Sequence, residues 1–105
     1  LNNKGDRMEI RIHSAVSIDK GFEEYIKDKF DRLKKFLFDE GSAEFHIKKE
    51  GSAYISEIKI HSRSYNIFLK EEDNDINKSV EKLFDRAKEQ TRKMHDKVVA
   101  KNYKI

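Results

Sequence analysis

Lys82, Arg86, Gln90, Lys93 and Lys97 recur at intervals of three and four residues, the spacing that lines one flank of an α-helix. On a wheel centred on Val80, Glu81, Asp85, Glu89 and Asp96 fall on the back or the opposite flank, so the segment has a basic side and an acidic side. Oppositely charged residues mixed at i,i+4 would make a solvated, salt-bridged face without such segregation. A stripe of cations with one amide among them suits contacts to successive phosphates. A looser set, Lys29, Arg32 and Lys35, belongs to an earlier segment, with Lys27 and Lys34 on its other flank. If the two helices lie side by side, the two sets meet along the groove between them and form one basic field.

The distribution of charge points the same way. The chain has 105 residues, 41% of them charged, with 23 Lys+Arg against 20 Asp+Glu. Residues 1–84 balance to −1 and residues 85–105 to +4, so the excess of positive charge lies at the carboxy-terminal end, an electrostatic footprint for a polyanion such as nucleic acid. The run Glu71-Glu72-Asp73-Asn74-Asp75 repels phosphate. It is expected away from any RNA contact, as the loop and cap that start a helix.

Other chemistries find little support. His13, His46, His61 and His95 show no HxH, HxxxH or HExxH spacing, which argues against a metal. Gly5, Gly21, Gly41 and Gly51 stand alone, so there is no Walker or dinucleotide loop, and no serine sits in a GxSxG elbow. Without cysteine there is neither a disulfide scaffold nor a thiolate site. The expectation is no enzyme, no cofactor and no small-molecule substrate. No apolar run approaches a membrane span and the first residues lack the apolar stretch of a signal peptide, so a soluble, cytoplasmic protein without membrane contact is expected.

The elements that must carry these residues follow from periodicity. Met8, Ile10 and Ile12 alternate with Glu9, Arg11 and His13, a strand over 8–13. Phe22, Ile26, Phe30, Leu33 and Phe36-Leu37 recur at three and four, predicting a helix over 20–38 with Asp19 as N-cap, Glu23-Glu24 in its first turn and closure near Gly41. Ala43, Phe45 and Ile47 alternate, then Lys49-Glu50-Gly51-Ser52 turns into Tyr54, Ser56, Ile58 and Ile60, a hairpin. After a turn at His61–Ser64, a fourth strand runs from Tyr65 to Lys70, with Ile67 and Leu69 inward and Phe68 outward, or the reverse. Ile76, Val80, Leu83-Phe84, Ala87, Thr91, Met94 and Val98 share one face of a helix from about 76 to about 100, long enough to project past the sheet. The resulting fold is α+β, a single β-α-β-β-β-α domain: a four-stranded sheet with both helices packed on one face and the other face wet. Residues 1–7 form an N-terminal extension, 8–100 the domain and 101–105 a basic tail.

The pattern from Met8 to Lys97 resembles the ribosome hibernation promoting factors, which include the ribosome-associated inhibitor or protein Y and were once described as sigma-54 modulation proteins. The family's recurring signature is an acidic residue, two apolar positions at a helix start and a run of the type KLxRQLxKxK. It is matched here by Asp75-Ile76, Ser79-Val80, Leu83-Phe84, Arg86-Ala87, Gln90-Thr91 and Lys93. The first helix, with Phe22, Tyr25-Ile26, Lys29-Phe30, Arg32-Leu33 and Lys35-Phe36, is similar as well. Glu89 stands where the family usually has Arg, and Asn77 replaces its usual Tyr.

This resemblance implies a layout similar to double-stranded RNA-binding domains and a bacterial, stationary-phase or stress role. Such a protein binds small-subunit rRNA in the mRNA and tRNA channel, at the A and P sites, blocking translation and protecting idle ribosomes. It implies that Lys29, Arg32, Lys35, Arg86 and Lys93 face the rRNA. With the stripe itself, the expected rRNA-binding set is Lys29, Arg32, Lys35, Lys82, Arg86, Gln90, Lys93 and Lys97. The partner is then the small ribosomal subunit, and the chain is expected to be a short form, monomeric off the ribosome. Two other readings stay open: a stand-alone module for A-form duplexes, and a protein-interaction module using the wet sheet face.

Overall fold

A computed structural model of the chain describes residues 8–37, 40–63 and 65–102, with side chains as far as 99. The proposed extension 1–7, the last residue of the expected first helix and the side chains of the expected tail lie outside the described residues. Strand β1 (Ile10–Ser14), helix α1 (Lys20–Asp31), a short 3-10 turn (Lys34–Phe36), strands β2 (Gly41–Glu50), β3 (Ala53–Ser62) and β4 (Asn66–Asp73) and helix α2 (Ile76–Asn102) follow one another. The sheet has the order β1-β2-β3-β4. β1 pairs parallel with β2, as a strand reached through a helical crossover must, while β2-β3 and β3-β4 are antiparallel.

Register turns the alternation of each strand into rows across the sheet. Ile10, Ala43, Ile60 and Ile67 make one row under the helices, and Ile12, Phe45, Ile58 and Leu69 the next. All but Ile12 are buried, and Ile12 packs against the same cluster. Ile26, Phe30, Leu33 and Leu37 close this core from the α1 side, and Val80, Leu83, Phe84 and Ala87 from α2. Phe45 and Phe84 stack across the layers with centroids 6.0 Å apart. The inward choice for Ile67 and Leu69 is thereby settled, and Phe68 stands 57% exposed on the opposite face.

Local chemistry explains most boundaries. Asp19 caps α1 by accepting from the Phe22 N–H at 2.8 Å, as expected. Gly51 begins the β2-β3 turn at φ +60°, a conformation costly for a residue with a Cβ. At Gly41 a Cβ would stand 2.0 Å from the carbonyl oxygen of His61. Gly41 therefore opens β2 at a close backbone approach and does not close a helix.

β1, expected over 8–13, runs over Ile10–Ser14, and His61 and Ser62, expected in a turn, end β3; the larger differences in length are at two other elements. The first helix, expected to 38, ends at Asp31, and the chain tightens into i→i−3 hydrogen bonds from Leu33 to Phe30, Phe36 to Leu33 and Leu37 to Lys34. Apolar residues at 30, 33 and 37 suit a 3-10 turn as well as an α-helix, so periodicity does not separate the two. β4, expected to stop at Lys70, continues to Asp73. Glu71 and Asp73 take the inward positions after Leu69, and α2 supplies the cations that make this tolerable.

Candidate nucleic-acid interface

α2 is pinned at its start. Asp75 accepts from the N–H groups of Asn77 and Lys78 at 2.8 and 3.2 Å, so this one residue of the acidic run plays the expected capping role. Buried Ser56 on β3 donates to the Ser79 carbonyl at 3.0 Å and shares a hydroxyl contact of 2.8 Å with Ser79. The Ser79 hydroxyl also reaches the Glu71 carbonyl at 3.3 Å. These bonds tie the first turn of α2 to two strands and fix its rotation about its own axis.

That rotation decides where the stripe goes. Lys82 and Arg86 face β4: Lys82 Nζ lies 2.9 Å from an Asp73 oxygen and 3.2 Å from the Glu72 carbonyl. Arg86 is ion-paired with Glu71 and donates to the Lys70 carbonyl at 3.2 Å. The Asp75 N–H and the Lys82 ammonium hold the Asp73 carboxyl below its ordinary pKa, and the same bond to Asp73 pushes the Lys82 ammonium up. The acidic run, expected away from any RNA contact, thus lies against the first half of the stripe.

The other flank of α2 faces α1. Burial, then the carboxylates of Glu81 and Asp85, hold the Tyr25 hydroxyl above its ordinary pKa, with Arg32 opposing them. Phe36 meets His95 edge-on at 5.7 Å. Tyr25 therefore lies near the start of α2 and Phe36 near its second half, so the helices run parallel. Glu81 and Asp85 thus lie near Tyr25, on the side of α2 toward α1. Carboxylates therefore share the side of α2 on which the two sets of cations were expected to meet.

Arg32 and Lys35 lie where α1 gives way to the 3-10 turn, whose Phe36 meets His95 in the second half of α2, the half that carries Gln90, Lys93 and Lys97. Among the described residues Lys29, Arg32, Lys35 and Lys97 make no ion pair, and Lys93 lies 4.0 Å from Glu89. Lys29 sits 5.5 Å from the Tyr25 ring centroid and Lys35 5.2 Å from that of Phe36, cation–π contacts that anchor the stems. A shallow hollow along α2 is lined by Arg86, Gln90, Lys93, Met94 and Lys97 together with Asp85 and Glu89. Arg92, outside the stripe, approaches Glu89 at 3.9 Å, an exposed cation in the second half of α2 that a wheel drawn for the helix places among acids.

No helix among the described residues is long and apolar enough to cross a membrane. Residues 8–99 match the family described as sigma 54 modulation protein / S30EA ribosomal protein. No curated protein matches the chain. Among solved structures the fold is similar to the Thermus thermophilus protein Y N-terminal domain, at a TM-score of 0.72 and 20% identity over 84% of this chain and 98% of that one. It is also similar to a ribosomal subunit interface protein from Coxiella burnetii, at a TM-score of 0.65 and 21% identity over 81% of this chain and 94% of that one.

Proposed function

The chain belongs to the sigma 54 modulation protein / S30EA ribosomal protein family, and from that premise we propose that it is a ribosome hibernation factor that binds small-subunit rRNA in the mRNA and tRNA channel. The observation that carries this reading is the family match over residues 8–99, which takes in every strand and all but the last turn of α2. The cations support it. Lys29, Arg32, Lys35 and Lys97, without an ion pair among the described residues, and Lys93, no nearer than 4.0 Å to Glu89, keep their charge available for phosphates, and backbone contacts of this kind position a protein on RNA whatever its sequence.

The mechanism is occupancy. The domain fills space that mRNA and tRNA need, so translation stops and the idle particle is protected without turnover or cofactor. Lys35, Arg32, Lys93 and Lys97 make the leading phosphate contacts, with Lys29 and Gln90 beside them. Lys82 and Arg86 contribute less, because engaging phosphate means leaving Asp73 and Glu71.

Co-sedimentation tests the reading. The protein is expected to pellet with purified ribosomes and small subunits, to be displaced by mRNA with tRNA, and to bind free duplex RNA much more weakly at the same salt. Equal affinity for simple duplexes would sink the ribosome reading and favour a stand-alone duplex-binding module.

A further inference from the structure

Along the chain the four histidines carry no metal-binding spacing, yet two become neighbours in the sheet. The parallel register of β1 and β2 places His13 opposite His46, and their rings stack with centroids 4.6 Å apart and planes 16° from parallel. Both stand on the face away from the helices, since their strand neighbours Ile12, Phe45 and Ile47 pack in or against the core. Glu44 lies two residues before His46 on the same face, with one carboxylate oxygen 3.1 Å from His46 Nε2. One ligand atom from each of His13, Glu44 and His46 lies within 4.8 Å of the other two.

We propose that His13, His46 and Glu44 form a binding site for a divalent transition-metal ion of the Zn2+ class on the outer face of the sheet. Two imidazoles and a carboxylate are the donor set that borderline cations take, whereas Mg2+ and Ca2+ favour oxygen ligands. With metal–ligand bonds of about 2.0 to 2.2 Å, two adjacent ligand atoms stand roughly 2.8 to 3.6 Å apart across octahedral and tetrahedral coordination. The 3.1 Å between His46 and Glu44 already has that length, so a metal ion can replace the proton they share. His13, the most exposed of the three, closes the set by turning its ring out of the stack so that its lone pair converges with the other two, its ligand atom coming closer by about 2 Å or less.

The surroundings fit a reversible site. Arg11 holds the second Glu44 oxygen at 3.1 Å, as outer partners orient ligating carboxylates, and leaves the first oxygen to the metal. Its charge also opposes the ion, while Glu57, in register with His46 on β3, adds a carboxylate in the next place of the row. Three protein ligands on a solvent-facing sheet leave at least one coordination position for water or for a donor from a partner. The site lies on the opposite face of the sheet from the helices and does not depend on the ribosome reading.

Titration of the tag-free chain with ZnCl2, followed by calorimetry and by the imidazole C–H resonances in NMR, tests this. One equivalent is expected to bind, shifting His13 and His46 and leaving His61 and His95 in place, while MgCl2 shifts none of them. His46→Ala and His13→Ala should each weaken binding about tenfold or more, and His95→Ala should leave it unchanged. The resonance shifts are read on the unaltered protein, so a variant that fails to fold does not decide the outcome. Absence of saturable binding, wild-type affinity in His46→Ala, or shifts at His61 or His95 in place of the stacked pair overturns the proposal.

Discussion

The two halves of α2 carry the same kinds of side chains at the same spacing and end in opposite situations. In the first half, Val80, Leu83, Phe84 and Ala87 are buried, and Lys82 and Arg86 are spoken for by Asp73, Glu71 and backbone carbonyls of β4. In the second half, Thr91 is buried, Met94 is half-buried and Val98 is 37% exposed, while Lys97 makes no ion pair among the described residues. Length is the cause. The 27 residues of α2 extend about 40 Å, whereas the eight of β4 reach about 26 Å, so the strand runs out of partners before the helix does. A basic stripe is thus not one functional unit. The half that lies over a strand is paired to it, and the half beyond it is the one that, on the proposed function, meets the rRNA.

The sharpest way to break this contrast is through the core. Phe84→Ala, which removes the ring stacked on Phe45, is expected to cost about 3 to 5 kcal/mol in denaturant unfolding. Val98→Ala should stay within about 0.5 kcal/mol. Similar costs at both positions would show that the distal half is docked as firmly as the proximal one.

Binding comes next. Replacing Lys93 and Lys97 by Ala should lower the slope of ribosome affinity against the logarithm of salt concentration by roughly 1.4 to 1.8, if each gives up one phosphate contact. The double variant Lys82→Ala with Arg86→Ala should change that slope less and lower thermal stability more. The reverse ranking would mean that the ion pairs with β4 open on the ribosome.

Acid titration sharpens the proximal half. Because the folded Asp73 carboxyl titrates below its ordinary value, its contribution is complete above about pH 4 and fades as the pH falls through the lowered value. Lys82 titrates above its ordinary value, so its share is complete below about pH 10 and fades only at higher pH. The melting temperature of Asp73→Asn should therefore lie below that of the unaltered protein at pH 7, and the gap should narrow as the pH falls below about 4. A constant gap would assign the loss to packing rather than to the ion pair.

The smallest effect is expected at Glu89. Its contacts with Arg92 and Lys93, at 3.9 and 4.0 Å, are exposed helix pairs, so Glu89→Ala should shift stability by no more than about 0.5 kcal/mol. The same substitution removes a negative charge from the lining of the hollow on α2, and ribosome binding at low salt should tighten.

Much of this protein was readable from residue order alone, because helix and strand geometry act over a few residues. The period of two in Ala43, Phe45 and Ile47 and of three to four from Ile76 to Val98 identifies a strand and a helix. The Asp19 cap and the apolar face of α2 needed no partner to be recognised. Boundaries that depended on a distant segment were not available in this way. β4 runs on through Glu71 and Asp73 only because residues 82 and 86 return above it, and no local pattern makes two carboxylates at inward positions favourable.

The same division separates the surface chemistry. Sequence by itself determined which residues carry charge, which share a helix face, and that the chain's positive excess lies at its carboxy-terminal end. Tertiary structure alone decided that Lys82 and Arg86 are paired, that Glu81 and Asp85 lie near Tyr25, and that His13 and His46 stack across 33 residues of chain. The physical reason is range. Side-chain direction along a helix or strand follows from backbone torsions within one element, whereas the meeting of two charges or two rings is set by register and packing between elements.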